Sequence, residues 1–251
     1  MPYSHPQPLD RTSAFRLVPH LVPGAAALAA LAGYVNSVVL GFFHTPVSHM
    51  TGAVSHLAID LADGRAADSV ASVSIVLGFV CGAIVSGTLV GAFKLIPNRT
   101  YGLAMMLEGV LLAVATALLI AKHRLGLPAV AMACGLQNAM TSSYCGLGIR
   151  TTHVTGTVTD MGVMIGHWIR HRQIDRAKLG FVITVIGAFG CGGWVGALAD
   201  ARFGPQCLGL AALGCLGAGA VFWWLTRDGF NGVLEESTSR VPQTRSVGRI
   251  S

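Results

Sequence analysis

Fixed charge is what this 251-residue chain has least of. Lys and Arg together number 17 and Asp and Glu 11, so 11% of the residues are charged, where about 25% is usual in a soluble domain. That shortage excludes an ordinary soluble globule. No Asp, Glu, Lys or Arg occurs over residues 17–59, 69–93, 125–149, 179–199 or 203–226. A stretch of roughly 20 apolar residues is enough to cross a bilayer. The six cysteines all fall in apolar runs and form no CxxC pair, so neither a disulfide framework nor a zinc site is expected. There is no GxSxG, HExxH or Gly-rich phosphate loop, which argues against an enzyme and against a nucleotide-driven pump. The basic residues lie between or beyond the apolar runs without interleaved aromatics, so nucleic acid is not an expected partner.

What is present points to lipid. Hydrophobic residues make up 53% of the chain and glycine contributes 32, a composition suited to helices that approach closely inside a bilayer. The expected fold is all-α, a polytopic transmembrane bundle. Six spans can be drawn, at about residues 21–43, 69–93, 101–121, 127–147, 179–199 and 206–226. The first is too long for a signal-peptide core and is expected to be retained. Residues 49–62 and 153–169 form two shorter, polar, helix-like segments, each after a break, at Pro46 and at the turn over residues 146–150. Residues 1–20 are expected as a cytoplasmic N-terminal segment and 227–251 as a disordered cytoplasmic tail.

The halves resemble each other. Gly33-Tyr34-Val35-Asn36 recurs as Gly135-Leu136-Gln137-Asn138, 102 residues on, and His49-Met50-Thr51-Gly52 recurs as His153-Val154-Thr155-Gly156, 104 residues on. Cys81-Gly82 returns as Cys191-Gly192, and Gly78 aligns approximately with Gly187. Two membrane repeats follow, 21–124 and 125–226. Duplicated membrane folds often place a solute site where the repeats meet. The small-residue series Gly78, Gly82, Gly87 and Gly91, with Gly192 and Gly196, provides close helix contacts within one chain or between copies of it, so a homo-oligomer is left open.

The side richer in Lys and Arg tends to face the cytoplasm. With both termini inside, 13 of the 17 basic residues are cytoplasmic, leaving Arg65, Lys122, Arg124 and Arg202 outside. If the two polar segments cross fully there are eight spans and the split is unchanged. Their shortness and polarity favour six spans plus two partial helices. Each repeat then has three spans, and the two repeats have opposite orientation.

These motifs resemble the YoaK-like family of bacterial membrane proteins, a domain of unknown function. The resemblance rests on Gly33-Tyr34-Val35-Asn36, His49-Met50-Thr51-Gly52, Gly135-Leu136-Gln137-Asn138 and the run from Arg150 to Thr157, and it covers residues 21–226. It implies a roughly six-span, multi-pass protein of the bacterial inner membrane and brings no established activity. The chain departs from the family pattern at Asn36, where the family is acidic, and at Ala53, where the family has Asn.

Several polar residues are candidates for a solute or ion pathway. His49, His56 and Asp63 stand seven apart, as do His153, Asp160 and His167, and seven residues are nearly two helical turns, so each trio makes a seam on one face. Ionisable groups at membrane depth are costly and by default functional candidates; the competing reading leaves Asp63 and His167 in interfacial water. Thr51-Gly52 and Thr155-Gly156 open the two polar helices, where Thr can cap orphan N–H groups and Gly admits a ligand or a neighbouring helix. Asn36, Gln137 and Asn138 must find hydrogen-bond partners in lipid, as pathway residues or as inter-helix ties. Glu108 is the only carboxylate deep in an apolar span, either a protonation switch or a partner for a buried cation. Residues seven apart lie about 10.5 Å apart along a helix, too far to share a metal. His56 with Asp60 has chelating spacing, but two ligands do not define a site, so no metal or cofactor is expected. The expected function is a secondary transporter or permease for a small solute or ion, with a membrane-embedded enzyme or a non-catalytic scaffold as alternatives.

Overall fold

The charge-free stretches fold as helices because, without water, a backbone can satisfy its N–H and C=O groups only internally. A computed structural model describes residues 18–44, 47–90, 99–142 and 154–226. Its helices are α1 (Val18–Phe43), α2 (Met50–Ala62), α3 (Ala66–Val90), α4 (Arg99–Ile120), α5 (Gly126–Ser142), α6 (Val154–His171), α7 (Arg176–Phe203) and α8 (Leu208–Leu225), with a short 3-10 turn (Gly204–Cys207) before α8. No strand occurs among the described residues. The six apolar helices and the two polar ones lie where the apolar and polar patterns place them. The segments at 1–17 and 227–251, Pro46, Gly91, the turn at 146–150 and His153 fall outside the described residues.

Among the described residues, four stretches are long and apolar enough to cross a membrane: Val22–Phe43, Ala66–Val90, Arg99–Ile120 and the 50-residue stretch Arg176–Leu225. The last is folded as α7 and α8. The chain is thus a membrane protein by the length and composition of its helices. Its outer surface agrees: Val70, Trp194 and Leu213 are 69%, 67% and 67% exposed, a belt that water would penalise and lipid would not.

Local signals set several helix ends. The Asp175 carboxylate accepts from the Lys178 backbone N–H at 3.0 Å and caps α7, satisfying one of the orphan donors of the first turn. Gly204, at φ 62, ends α7. Gly64, at φ 69, turns the chain between α2 and α3, with the Arg65 N–H bonded to the Asp60 carbonyl at 2.8 Å.

Three helix pairs build the bundle: α1 with α7, α3 with α5, and α4 with α8. Side chains of lipid-facing helices gain little from leaving lipid, so close backbone approach and dispersion carry this packing. The contacts also give each pair's sense. Gly192 meets Ala30, Gly196 meets Tyr34 and Gly41 meets Asp200, so α1 and α7 run parallel. Gly78 meets Pro128 and Gly82 meets Met132, so α3 and α5 also run parallel. Gly102 meets Gly219 and Trp223 while Gly109 meets Ala212, so α4 and α8 run antiparallel. One member of the expected small-residue series does not serve: Gly87 faces open space, as does Gly187, the repeat counterpart of Gly78. A central core joins the pairs through Val38, Val39, Ile75, Leu112, Val130 and Leu208.

Candidate functional site

The strongest polar cluster forms where the chain leaves α1. Asn36 lies seven residues before Phe43, about 10 Å back along the helix. Yet Ser48 Oγ donates to Asn36 Oδ1 at 2.6 Å, so residues 47–49 have turned back beside α1. His49 Nδ1 is 3.1 Å from Asn36 Oδ1 and 2.9 Å from Ser48 Oγ. The serine proton is committed to Asn36, so Nδ1 carries the hydrogen that makes its own contacts. The His49 ring meets Phe189 of α7 edge to face, with centroids 6.1 Å apart. Asn36 and Ser48 are buried, at 9% and 4% exposure. A buried amide needs such partners, because an unsatisfied polar group in a dry interior costs about 1–3 kcal/mol. The cluster thus joins α1, the start of α2 and α7, beside the Gly33 crossing.

α2 then leads away from this point along α3. Asp60 is 5% exposed; its carboxylate accepts from Ser72 Oγ at 3.2 Å and pairs with Arg65 at 3.0 Å. Arg65 also reaches Asp63 at 3.0 Å. These contacts tie α2 to α3. His56, the proposed chelating partner of Asp60, is exposed. Among the described residues no three His, Cys, Asp or Glu side chains stand close enough to hold a metal ion.

The helix openings differ from expectation in one respect. His49, not Thr51, occupies the N-cap of α2, and no side chain caps it. The first turn already begins with the N–H groups of Gly52 and Ala53 bonded to the His49 carbonyl at 2.9 and 3.3 Å, so the exposed Thr51 lies inside the first turn rather than at its cap. Gly52 and Gly156 are half-buried, while Thr155 and Asp160 are exposed. α6 packs on α7 but buries none of its residues. No substantial packing between α2 and α6 is seen among the described residues.

The remaining candidates separate. Gln137 Nε2 donates to the Leu28 carbonyl of α1 at 3.0 Å, an inter-helix tie between α5 and α1. Asn138, the half-buried neighbour, offers its backbone carbonyl to the Thr141 and Ser142 hydroxyls at 3.0 and 2.7 Å. Glu108 is 2% exposed, with the Cys215 thiol of α8 and Cys134 of α5 beside it. Its Oε2 has no partner. No Lys or Arg pairs with it among the described residues.

Sequence reasoning did not single out Ser48 or Asp200, and it read Tyr34 only as part of the Gly33–Asn36 motif. Tyr34 OH donates to the Cys207 carbonyl at 2.9 Å. Asp200 Oδ2 lies over Gly41, and its Oδ1 is buried without a partner. Asp200 had one available signal, as the first charge after the run over residues 179–199. Ser48 had none, since only the chain reversal brings it to Asn36.

Residues 24–221 match the family described as "Protein of unknown function (DUF1275)". No curated protein and no solved structure matches the chain.

Proposed function

The chain belongs to the DUF1275 family, and from that premise we propose that it is a secondary transporter or permease, rather than an enzyme, for a small solute or ion. The observation that carries this reading is the Asn36–Ser48–His49 cluster. Irregular backbone and buried polar side chains at membrane depth are tolerated where they are covered by protein or line a passage, and broken helices of this kind hold solutes in transporters.

We further propose six crossings in two oppositely oriented repeats, 21–124 and 125–226. Consecutive crossings alternate in sense. The antiparallel pairing of α4 with α8 agrees with three steps, through α5, α7 and α8, and not with a fourth through α6. The parallel pairing of α1 with α7 agrees with both α2 and α6 crossing, or with neither. Together they favour two polar helices that do not cross. An exchange of halves turns the α1–α7 contact at Gly192 and Ala30 into the α3–α5 contact at Gly82 and Met132, as a duplicated bundle requires. The same exchange carries Gly102 against Gly219 into Ala212 against Gly109. The distribution of basic residues supports both termini on the cytoplasmic side, and the family resemblance supports the inner membrane of a bacterium.

The test is flux in proteoliposomes holding purified full-length protein and a pH-sensitive dye, challenged in turn with monovalent salts, small organic acids and small amines. The reading predicts a response to one of these classes that Asn36→Leu or His49→Ala abolishes in folded protein. No response to any class, or an undiminished response in both variants, contradicts it.

A further inference from the structure

The turn from α4 to α5 is built on a lysine where glycine is usual. Lys122 has φ 54. The His123 N–H reaches the Leu118 carbonyl at 2.8 Å and the Lys122 N–H reaches the Leu119 carbonyl at 3.0 Å, a helix ending whose left-handed residue is most often glycine. Gly64 fills the corresponding place after α2. The lysine carries backbone strain that glycine would not, and such strain gathers at functional positions.

The corner is also fixed by a side chain. His123 Nδ1 accepts the Leu125 N–H at 3.2 Å, at the start of α5. With Nδ1 accepting, the other ring nitrogen is the donor. Lys122, His123 and Arg124 are thus held as a compact group of donors on one turn.

These three residues line a cavity of about 560 Å³, within the range of small-molecule sites. Its walls include Phe42 and Phe43 from the end of α1 and Ile120 from the end of α4, and no carboxylate lines it among the described residues. Phe42 and Ile120 are half exposed, at 50% and 52%. The cavity is therefore cationic on one side and apolar on the other. It lies at the helix ends, which in a six-crossing bundle are at the membrane surface. A phosphate diester with an attached hydrocarbon chain matches both sides: the phosphate meets the lysine, arginine and imidazole donors, and the chain lies on the aromatic and aliphatic wall.

We propose that this cavity binds an anionic phospholipid, with its headgroup held by Lys122, His123 and Arg124 and an acyl chain against Phe42 and Ile120. The site is separate from the Asn36–Ser48–His49 cluster and stands whether or not the protein transports.

Native mass spectrometry of the full-length protein in detergent, titrated with phosphatidylglycerol, tests it. Phosphatidylcholine and soluble glycerol 3-phosphate serve as comparators. Phosphatidylglycerol is expected to bind about 25-fold more tightly than phosphatidylcholine, given about a fivefold contribution from each of Lys122 and Arg124. Lys122→Gly combined with Arg124→Gln should remove about 25-fold of that affinity, without lowering the melting temperature, because glycine relieves the backbone at position 122. If the double variant unfolds, Arg124→Gln alone should lose about fivefold. Arg170→Gln with Arg172→Gln, at the other end of the bundle, should leave binding unchanged. Wild-type affinity in the cavity variants, equal binding of phosphatidylcholine, equally tight binding of glycerol 3-phosphate, or loss confined to the Arg170 and Arg172 variant would each overturn the proposal.

Discussion

Gly192 of α7 lies so close to Ala30 of α1 that a Cβ on the glycine would overlap the Ala30 carbonyl oxygen. Gly82 of α3 stands in the same relation to Met132 of α5. A methyl group at either position must push two helices apart and forfeit the dispersion contacts around it. Gly192→Ala and Gly82→Ala should each cost about 1–3 kcal/mol. Gly187→Ala, which meets nothing within 4 Å, should be near neutral. Thermal melting of the three variants in one detergent measures the contrast.

Asn36 uses its carbonyl oxygen as the acceptor for both Ser48 and His49. Asn36→Asp keeps the acceptor at the cost of burying a charge and should lose less than Asn36→Leu, which removes the acceptor that Ser48 and His49 share and should lose about 1–3 kcal/mol. Equal losses in the two variants, read by melting, would show that the acceptor at position 36 does not matter.

Asp60 binds Ser72 and Arg65 through separate oxygens. Asp60→Asn keeps an acceptor for the serine but loses the charge, and because Arg65 is half exposed the expected cost is only about 1 kcal/mol. Asp60→Ala removes both contacts and opens a void, for about 2 kcal/mol. Limited proteolysis at the α2–α3 turn should quicken in the same order.

Tyr34 ties α1 to the turn before α8 through its hydroxyl and the Cys207 carbonyl. Tyr34→Phe keeps the ring and deletes that bond, so about 1 kcal/mol should be lost, visible as a small fall in melting temperature.

Much of the bundle is legible in the sequence because charge is excluded from helices that meet lipid: the runs over residues 69–93 and 179–199 foretell α3 and α7. The repeated His-x-Thr-Gly pattern likewise marks the starts of both polar helices, although the chain begins α2 two residues too early for Thr51 to cap it. Long-range pairing leaves no such trace. Nothing local tells that Asp60 will meet Arg65 and Ser72, which depends on α2 folding back along α3. Nor does anything local place Glu108 beside Cys215, which depends on α4 lying against α8. Ser48 becomes part of the Asn36 cluster only through the reversal after α1. The Lys122 corner was hidden for a different reason, since a lysine in a left-handed turn is contrary to the usual glycine preference.

The most direct test of the account is sidedness. In a protein whose native cysteines are replaced by alanine or serine, Asp63→Cys, Lys122→Cys, Gln206→Cys and Asp175→Cys are introduced singly and exposed to a membrane-impermeant maleimide in intact cells. Six crossings with two non-crossing polar helices predict that positions 63, 122 and 206 label from outside and position 175 does not. Labelling of position 206 with protection of positions 63 and 122, the pattern of eight crossings, would contradict it.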